Sequence, residues 1–323
     1  MSNFYLGKNI LVTGAAGITG QAVVRRLLQE GAFVRAAVYN NRKLDLSHPN
    51  LSVEKFDLMD HSQCMKALEG IDICINLVAY IRGAKGQTDS KNHLDLVRNN
   101  LFTSINMIDA AVRSKIDRFG FVGSSTMYPD VSHPVNEDEA FNDIPHTVYR
   151  GVGWMKRYCE QVIQYYQDIS PVNFAVTRTT AIYGPFDAFD DNGHVIPQLI
   201  LKADSGMNPF EVWGDGNQIR DFVYVDDVVD GLLTVVEKNP NARPYNVASG
   251  KATTVRELVE TITDLYGYSP KFEYDTTKPS MIPVRLVDTS RIKNELDWSS
   301  KVDLRTGLQK TIDWYKDNRG LYK

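Results

Sequence analysis

The sequence lacks any apolar run of about 18 residues, the length that a helix needs to cross a bilayer. Its start, Met1 to Lys8, has neither the basic stretch nor the apolar stretch of a secretory signal peptide. It also lacks an excess of positive charge, since the net charge is -4 and the pI is about 5.9. We therefore expect a cytoplasmic protein that binds neither membranes nor nucleic acid. This charge balance does not exclude a nucleotide-sized anion.

Cysteine is scarce, and no two cysteines have the C-x-x-C spacing of a metal or redox motif. The three cysteines are Cys64, Cys74 and Cys159. Cys74 lies inside the apolar run from Ile71 to Val78, which is typical of a buried reduced thiol. We predict no metal site and no disulfide.

What the sequence does contain is a regular alternation of short apolar runs and amphipathic stretches in its first half. This alternation is typical of β-α-β units and a parallel sheet, and 323 residues are enough for a large core or two lobes. The predicted strands are Asn9–Thr13, Phe33–Val38, Ser52–Phe56, Ile73–Leu77, Arg118–Gly123 and Val172–Arg178. The predicted helices include Gln21–Gln29, Asn100–Ser114 and a long helix that begins at Tyr149.

A glycine-rich turn follows the first predicted strand and opens the first predicted helix. Gly14 permits a tight turn, Gly17 lets the backbone approach a phosphate, and Gly20 allows the helix to lie close to the strand. The start of the helix attracts an anion. Because the motif stands between a strand and a helix, it predicts a binding site for the pyrophosphate of a nicotinamide dinucleotide.

The fold class is therefore predicted as α/β: a Rossmann doubly wound parallel sheet with a smaller mixed α/β substrate-binding lobe. After Ile182 the pattern breaks into loops rich in glycine and proline, and near Val223–Tyr245 it returns to a helix followed by a strand. We assign residues 1–180, with about 222–248, to the NAD(P)-binding Rossmann domain. Residues 181–221 and 249–323 form the predicted substrate-binding lobe.

The spacing Gly14-x-x-Gly17-x-x-Gly20 resembles that of the extended short-chain dehydrogenase/reductase family, which modifies nucleotide sugars. The resemblance implies an NAD(P) cofactor. The cofactor-binding residues that it implies are Gly14, Ala16, Gly17, Ile18, Gly20, Arg42, Asp57, Leu58, Ala79, Asn100 and Tyr149.

Members of this family usually carry an acid at the end of the second strand, where it bonds the adenosine ribose. Here Val38 stands at that position, and Arg42 and Lys43 follow. Without an acid to repel a 2'-phosphate, NADP is slightly favoured over NAD. The alternative for Arg42 and Lys43 is a solvated loop. The alternative for Asp57 is an exposed turn aspartate.

The family's proton chemistry uses a serine or threonine, a tyrosine and a lysine. Ser124, at the end of a strand, and Tyr149 match the first two, although Ser124 has the alternative of a plain strand-end hydroxyl. The family's lysine follows the tyrosine by four residues, and this position is Gly153. Lys156, almost two turns after Tyr149, is either a partial substitute or a surface lysine. Without the lysine we expect slow turnover or an upward shift of the pH optimum.

The second half resembles the family's substrate lobe. The implied substrate-binding residues are Ser124, Ser125, Thr126, Arg178, His194, Val195, Trp213, Arg220 and Arg285. Relatives use the arginine matched by Arg220 to bind the nucleotide diphosphate, which suits a guanidinium, and ordinary salt bridging is the alternative for Arg220 and Arg285. The family's asparagine contact is replaced by Ala181.

Within the family the chain looks most like the GDP-fucose synthase group. His194 matches a histidine that serves that group in epimerisation, although a structural histidine is the alternative, and Thr126 stands where the group has a cysteine. Since an alcohol has a much higher pKa than a thiol, double epimerisation is doubtful. The 4,6-dehydratases are disfavoured, because Ser125-Thr126 replaces their Asp-Glu pair.

Two functions stay open at this point. The first is a nucleotide-sugar epimerase or 4-keto reductase, with hydride exchange at carbon 4 of an NDP-hexose and a GDP-sugar favoured. The second is a degenerate, non-catalytic subunit that binds cofactor or nucleotide sugar. A redox enzyme for a non-nucleotide carbonyl compound is a third alternative, against which Arg220 and Arg285 argue. The resemblance also implies a homodimer through the helices Asn100–Ser114 and Tyr149–Tyr166.

Overall fold

A computed structural model describes residues 3–39, 44, 46–80, 90–190, 193–239, 241–278 and 281–322. The strands are β1 Asn9–Thr13, β2 Phe33–Val38, β3 Leu51–Lys55, β4 Ile73–Asn76, β5 Arg118–Ser124, β6 Asn173–Thr179, β7 Ala181–Tyr183, β8 Phe210–Trp213, β9 Ile219–Arg220, β10 Phe222–Tyr224, β11 Pro244–Val247, β12 Thr253–Thr254, β13 Phe272–Asp275 and β14 Val284–Arg285. The helices are α1 Ile18–Gln29, α2 His61–Ala67, α3 Ser90–Ser114, α4 Arg150–Ile169, α5 Val195–Asp204, α6 Val225–Lys238, α7 Val255–Leu265, α8 Ser290–Leu296 and α9 Leu304–Asn318.

Seven parallel strands form the central sheet, in the order β11-β6-β5-β4-β1-β2-β3. The order reverses at β1, so the chain winds outward in both directions from this strand. The predicted fold class, a Rossmann-like α/β fold with a doubly wound parallel sheet, is confirmed. Since β11 belongs to this sheet, the chain returns to it after the segment of residues 184–218.

The two faces of the sheet are both covered, which explains why its inner strands are apolar on both sides. In β1, Ile10 and Val12 join one core with residues of α1 and α6, while Leu11 faces the opposite core with residues of α3 and α4. Cys74 in β4 is fully buried in that second core. A third core joins α5, α7 and α9, and small two- and three-stranded sheets flank it.

Several predicted boundaries need correction. The bounds of the predicted strands differ from the observed ones by at most one residue at each end, but α3 begins at Ser90 rather than Asn100. The long helix α4 begins at Arg150, and Tyr149 ends a separate 3-10 turn, Thr147–Tyr149. This turn forms because the His146 side chain accepts a hydrogen bond from the Val148 backbone amide at 3.2 Å. Within the described chain, no helix is long and apolar enough to cross a membrane.

Candidate active site

The turn after β1 leaves the start of α1 without a side-chain cap, because Gly17 occupies the cap position. Gly14 has φ of +61°, and a Cβ atom there would lie 2.8 Å from the carbonyl oxygen of Leu77. A Cβ at Gly20 would lie 2.2 Å from the carbonyl oxygen of Gly14. The helix therefore lies directly on the turn, and its first amide groups are available to an anion. Ala16 and Ile18 complete this turn, which fits the pyrophosphate of a dinucleotide.

Thr13, the last residue of β1, ties this turn to the end of β4. Its hydroxyl donates to the side-chain oxygen of Asn76 at 2.8 Å and accepts hydrogen bonds from the amides of Leu77 at 3.0 Å and Val78 at 3.1 Å. All of these groups lie at the carboxyl edge of the sheet, where ligands of doubly wound folds bind. Thr13 is fully buried. Its role was not predicted from the sequence, where only its position at the end of an apolar strand could have indicated it.

Asn100 holds the segment after β4 in place and does not present its amide to a ligand. Its side-chain oxygen accepts from the Tyr80 amide, and its nitrogen donates to the carbonyls of Tyr80 and Leu96, each at 2.8 Å. Both side-chain N–H groups are thereby used. Asn100 therefore has a positioning role in the structure, its cofactor contact stays a prediction, and Ala79 is exposed.

The end of β3 carries Asp57 and Leu58. One carboxylate oxygen of Asp57 accepts from the amide of Met59 at 3.0 Å, so this aspartate shapes a turn. Leu58 is buried.

The end of β2 carries no acid that could bond a ribose. Val38 is buried in the core, whereas the next residue, Tyr39, has 58% of its surface exposed. Arg42 and Lys43 lie outside the described residues.

Ser124 ends β5 and caps the 3-10 turn Ser125–Met127. Its hydroxyl accepts from the backbone amide of Thr126 at 3.2 Å and from the Thr126 hydroxyl at 3.0 Å. Ser125 is buried, and Ser124 and Thr126 are half-buried. The Ser124 hydroxyl therefore lies at the carboxyl edge of the sheet with its own hydrogen still to donate.

Tyr149 is half-buried, and burial raises the pKa of its hydroxyl, while the positive charges of Arg220 and Arg285 oppose this rise. Its backbone amide donates to the carbonyl of His146 at 2.9 Å, and the two rings lie 6.3 Å apart.

Gly153, four residues after Tyr149, is a point of close packing. A Cβ atom there would lie 2.7 Å from the carbonyl oxygen of Thr126 and 2.7 Å from the Cβ of Pro145. Real side chains do not tolerate such distances when one neighbour is backbone. Gly153 is therefore required for α4 to lie against the turn that follows Ser124.

Lys156 points toward the sheet and is not a surface lysine. Its ammonium donates to the carbonyl of Val122 at 2.8 Å and lies 4.8 Å from the centre of the Phe121 ring. Burial lowers its pKa, and the negative charge of Glu160 acts in the opposite direction. Val122 lies two residues before Ser124, so this cation lies near the end of β5. Four residues before Lys156, however, the chain has Val152 instead of a tyrosine.

Arg220 and Arg285 lie side by side, because their Cα atoms are register partners in the parallel pair β9 and β14. Arg285 is 6% exposed and donates to the carbonyls of Pro129 at 3.0 Å and Tyr128 at 3.4 Å. Its Nε is buried and has no hydrogen-bond partner. Two adjacent guanidinium groups, one with an unused buried donor, fit a phosphate or diphosphate.

The remaining predicted substrate contacts are His194, Val195 and Trp213. His194 precedes α5 and is exposed, and desolvation by neighbouring protein atoms lowers its pKa. Val195, the first residue of α5, is exposed. Trp213 is half-buried, and the ammonium of Lys278 lies 5.9 Å from its ring.

A model of the family described as "NAD dependent epimerase/dehydratase family" matches residues 10–248. The chain belongs to this family. It is 29% identical over 319 residues to "Probable GDP-L-fucose synthase 1" of Oryza sativa subsp. japonica, with 97% of this chain and 93% of that protein covered. It is also 29% identical over 318 residues to "GDP-mannose 3,5-epimerase" of Arabidopsis thaliana, with 95% and 82% covered.

Solved structures of family members have the same fold. The "UDP-N-acetylglucosamine 4-epimerase" of Methanobrevibacter ruminantium M1, solved in complex with UDP-N-acetylmuramic acid, has a TM-score of 0.85 at 26% identity. The alignment covers 97% of this chain and 99% of that structure. The family is described as NAD dependent, and solved structures with this fold were determined bound to NADP or with NAD.

Arg178, predicted as a substrate contact, is instead part of the interior of this family member. It is 2% exposed, and its guanidinium bonds the carboxylate of Glu160 with a shortest distance of 2.6 Å. It also donates to the Tyr128 hydroxyl at 3.1 Å and to the Glu137 carbonyl at 2.7 Å. Since a buried cation needs such partners, Arg178 has a structural role. The role of Glu160 was not predicted from the sequence. Only its position one helical turn after Lys156 could have indicated it.

Proposed function

We propose that this chain is a nucleotide-sugar epimerase or 4-keto reductase that exchanges a hydride at carbon 4 of an NDP-hexose, a GDP-sugar being favoured. One observation carries the proposal. The uncapped glycine turn and the register partners Arg220 and Arg285 provide two phosphate-binding elements, and Ser124 ends β5 on the same segment whose Tyr128 and Pro129 carbonyls hold Arg285. The names of the two plant relatives support a guanosine base.

In this proposal each element has a defined task. The turn from Gly14 to Gly20 holds the cofactor pyrophosphate, and the bound nicotinamide supplies or accepts the hydride. Arg220 and Arg285 hold the substrate diphosphate through charge-assisted hydrogen bonds. Ser124 donates a hydrogen bond to the reacting sugar oxygen, and Tyr149 exchanges a proton with it. Lys156 replaces the family's lysine as the cation near the nicotinamide ribose.

The proposal favours NADP over NAD slightly, since Val38 is apolar and buried and leaves no acid to repel a 2'-phosphate. It also includes a homodimer formed through α3 and α4. Large apolar side chains on these two helices are exposed, which is unusual unless a partner covers them. They are Leu94, Phe102, Trp154, Tyr158, Tyr165 and Ile169.

A second function is favoured by a specific observation. The residue four positions after Tyr149 is the closely packed Gly153, and the residue four positions before Lys156 is Val152. Neither alignment supplies a tyrosine and a lysine one helical turn apart. This gap favours a subunit that binds cofactor or nucleotide sugar without turning it over.

The two functions are separated by testing binding and turnover in the same preparation. Retained nucleotides are identified by mass, and reduced cofactor absorbance is followed with GDP-, UDP-, dTDP- and CDP-hexoses and their 4-keto forms. We expect turnover with a GDP-sugar and a loss of about 100-fold or more in Tyr149→Phe and Lys156→Gln. Tyr268→Phe, which removes a hydroxyl that makes no hydrogen bond, is the matched control. Binding of nucleotide sugar without turnover would support the non-catalytic subunit.

A further inference from the structure

Asp221 lies between β9, which carries Arg220, and β10, and only 1% of its surface is exposed. Its Oδ1 accepts hydrogen bonds from the backbone amide of Ser249 at 2.9 Å, the Ser249 hydroxyl at 2.6 Å and the Thr180 hydroxyl at 3.3 Å. Its Oδ2 accepts from the amide of Gly250 at 2.9 Å. Since a buried carboxylate is costly without such donors, these four bonds compensate for its burial.

The donors of these bonds belong to two segments that leave the central sheet. Thr180 directly follows β6, and Ser249 comes two residues after the end of β11. Because β6 and β11 are neighbouring parallel strands, both segments start from the carboxyl edge of the sheet. The carbonyl of Asp221 also accepts from the amide of Ala181, at 3.2 Å. Asp221 therefore connects the small sheet that carries Arg220 to this edge.

The small sheet around Arg220 provides little support of its own. Its strands β12, β9 and β14 have two residues each, and Arg220 pairs with Thr253 on one side and Arg285 on the other. Such short strands have few ladder hydrogen bonds. Arg285 is also held by two carbonyls of the segment after β5, whereas the bonds of Asp221 hold the backbone next to Arg220.

We propose that Asp221 is a positioning residue of the substrate anion site, which holds Arg220 where its guanidinium can bind the diphosphate. The inference rests on the proposed function of Arg220 and Arg285. Asp221 acts through Arg220 and does not contact the diphosphate, since both of its oxygens bond protein donors and a carboxylate repels an anion. Loss of these bonds should therefore weaken diphosphate binding and leave the cofactor, held by the glycine turn, unaffected.

The experiment measures binding of inorganic pyrophosphate to the full chain by calorimetry, with saturating NADPH present so that the cofactor fills the glycine turn. Asp221→Asn keeps the size of the side chain but replaces one accepting oxygen with an NH₂ group. We expect it to weaken pyrophosphate binding about tenfold and to leave NADPH affinity unchanged. With a reacting nucleotide sugar, it should raise KM about tenfold and leave kcat nearly unchanged. Glu260→Gln, exposed on α7, removes the same charge and is the control.

A double-mutant cycle tests whether Asp221 acts through Arg220. Arg220→Gln alone should weaken pyrophosphate binding about 30-fold. In the Arg220→Gln background, Asp221→Asn should weaken it further by about twofold or less, because the guanidinium that it positions is absent. If Asp221→Asn does not fold, Ser249→Ala takes its place in the cycle. It removes the 2.6 Å bond but keeps both amide donors, and we expect a loss of about threefold. Far-UV circular dichroism and thermal melting confirm that each variant is folded.

Three outcomes would overturn the inference. They are an unchanged pyrophosphate affinity in folded Asp221→Asn, equal losses of NADPH and pyrophosphate affinity, and a tenfold loss that persists in the Arg220→Gln background. If Arg220→Gln still weakens pyrophosphate binding in these cases, the proposed anion site stands without the role of Asp221. If the unaltered protein binds no pyrophosphate, the proposed anion site and the inference both fail.

Discussion

The glycine turn after β1 and the sheet-facing side of α4 differ in how far local sequence determines their geometry. In the turn, Gly14, Gly17 and Gly20 lie within seven consecutive residues, and the backbone itself forms the anion site. On α4, the environment of Gly153 depends on Pro145 and Thr126. A site formed by backbone can thus be recognised from a short motif, whereas one formed by side chains depends on what packs against them.

The largest effect is expected at the buried ion pair behind α4. Glu160→Gln removes the charge that compensates Arg178, and a buried uncompensated charge should lower the free energy of unfolding by about 3–5 kcal/mol. Urea denaturation measures this loss. Glu260→Gln, at an exposed position of α7, should have almost no effect. Equal small losses in both variants would show that the α4 region does not depend on its buried partners.

The next effect is expected at Gly153. Gly153→Lys places side-chain atoms against the Thr126 carbonyl and Pro145, so we expect a loss of about 3 kcal/mol and no gain in turnover. Thermal unfolding and the cofactor assay are the measurements. Gln161→Lys adds the same charge on the exposed face of α4 and serves as the control. A stable Gly153→Lys variant with faster turnover would mean that this position can hold the family's lysine.

A smaller loss of stability is expected in the glycine turn. Gly20→Ala places its methyl group 2.2 Å from the Gly14 carbonyl oxygen and should cost about 2 kcal/mol. Gly17→Ala meets the same oxygen at 3.4 Å, so it should fold normally and weaken cofactor binding. Denaturation and fluorescence titration with NADPH separate the two effects. Unchanged NADPH affinity in Gly17→Ala would contradict the assignment of this turn to the pyrophosphate.

The smallest effect is expected at the end of β2. Tyr39→Glu introduces an acid at an exposed position next to Val38, where it should repel a 2'-phosphate. We expect the affinity for NADPH to fall about tenfold, or about 1.4 kcal/mol, relative to that for NADH. Tyr39→Gln keeps the size without the charge and is the control. Parallel losses for both cofactors in Tyr39→Glu would show that this position does not contact the 2'-phosphate.

Most of the sheet was predictable because its strands are short apolar runs between turn signals. The helix starts were less predictable, since polar residues extend α3 back to Ser90 and a side-chain cap from His146 separates Tyr149 from α4. The buried position of Arg178 was not predictable for a similar reason. Its partner Glu160 is 18 residues away in sequence, and only the packing of α4 on β6 brings the two charges together.

The sequence by itself determined the parallel sheet and the glycine turn, because alternating apolar residues and backbone conformation act over a few neighbouring positions. The tertiary structure decided which charged side chains are buried in the interior and which lie at the proposed anion site. Arg178 and Lys156 point toward the sheet, and Arg220 and Arg285 are paired across two short strands. The free energy of a charged group depends on its solvation and its partners, and both are set by segments distant in the chain.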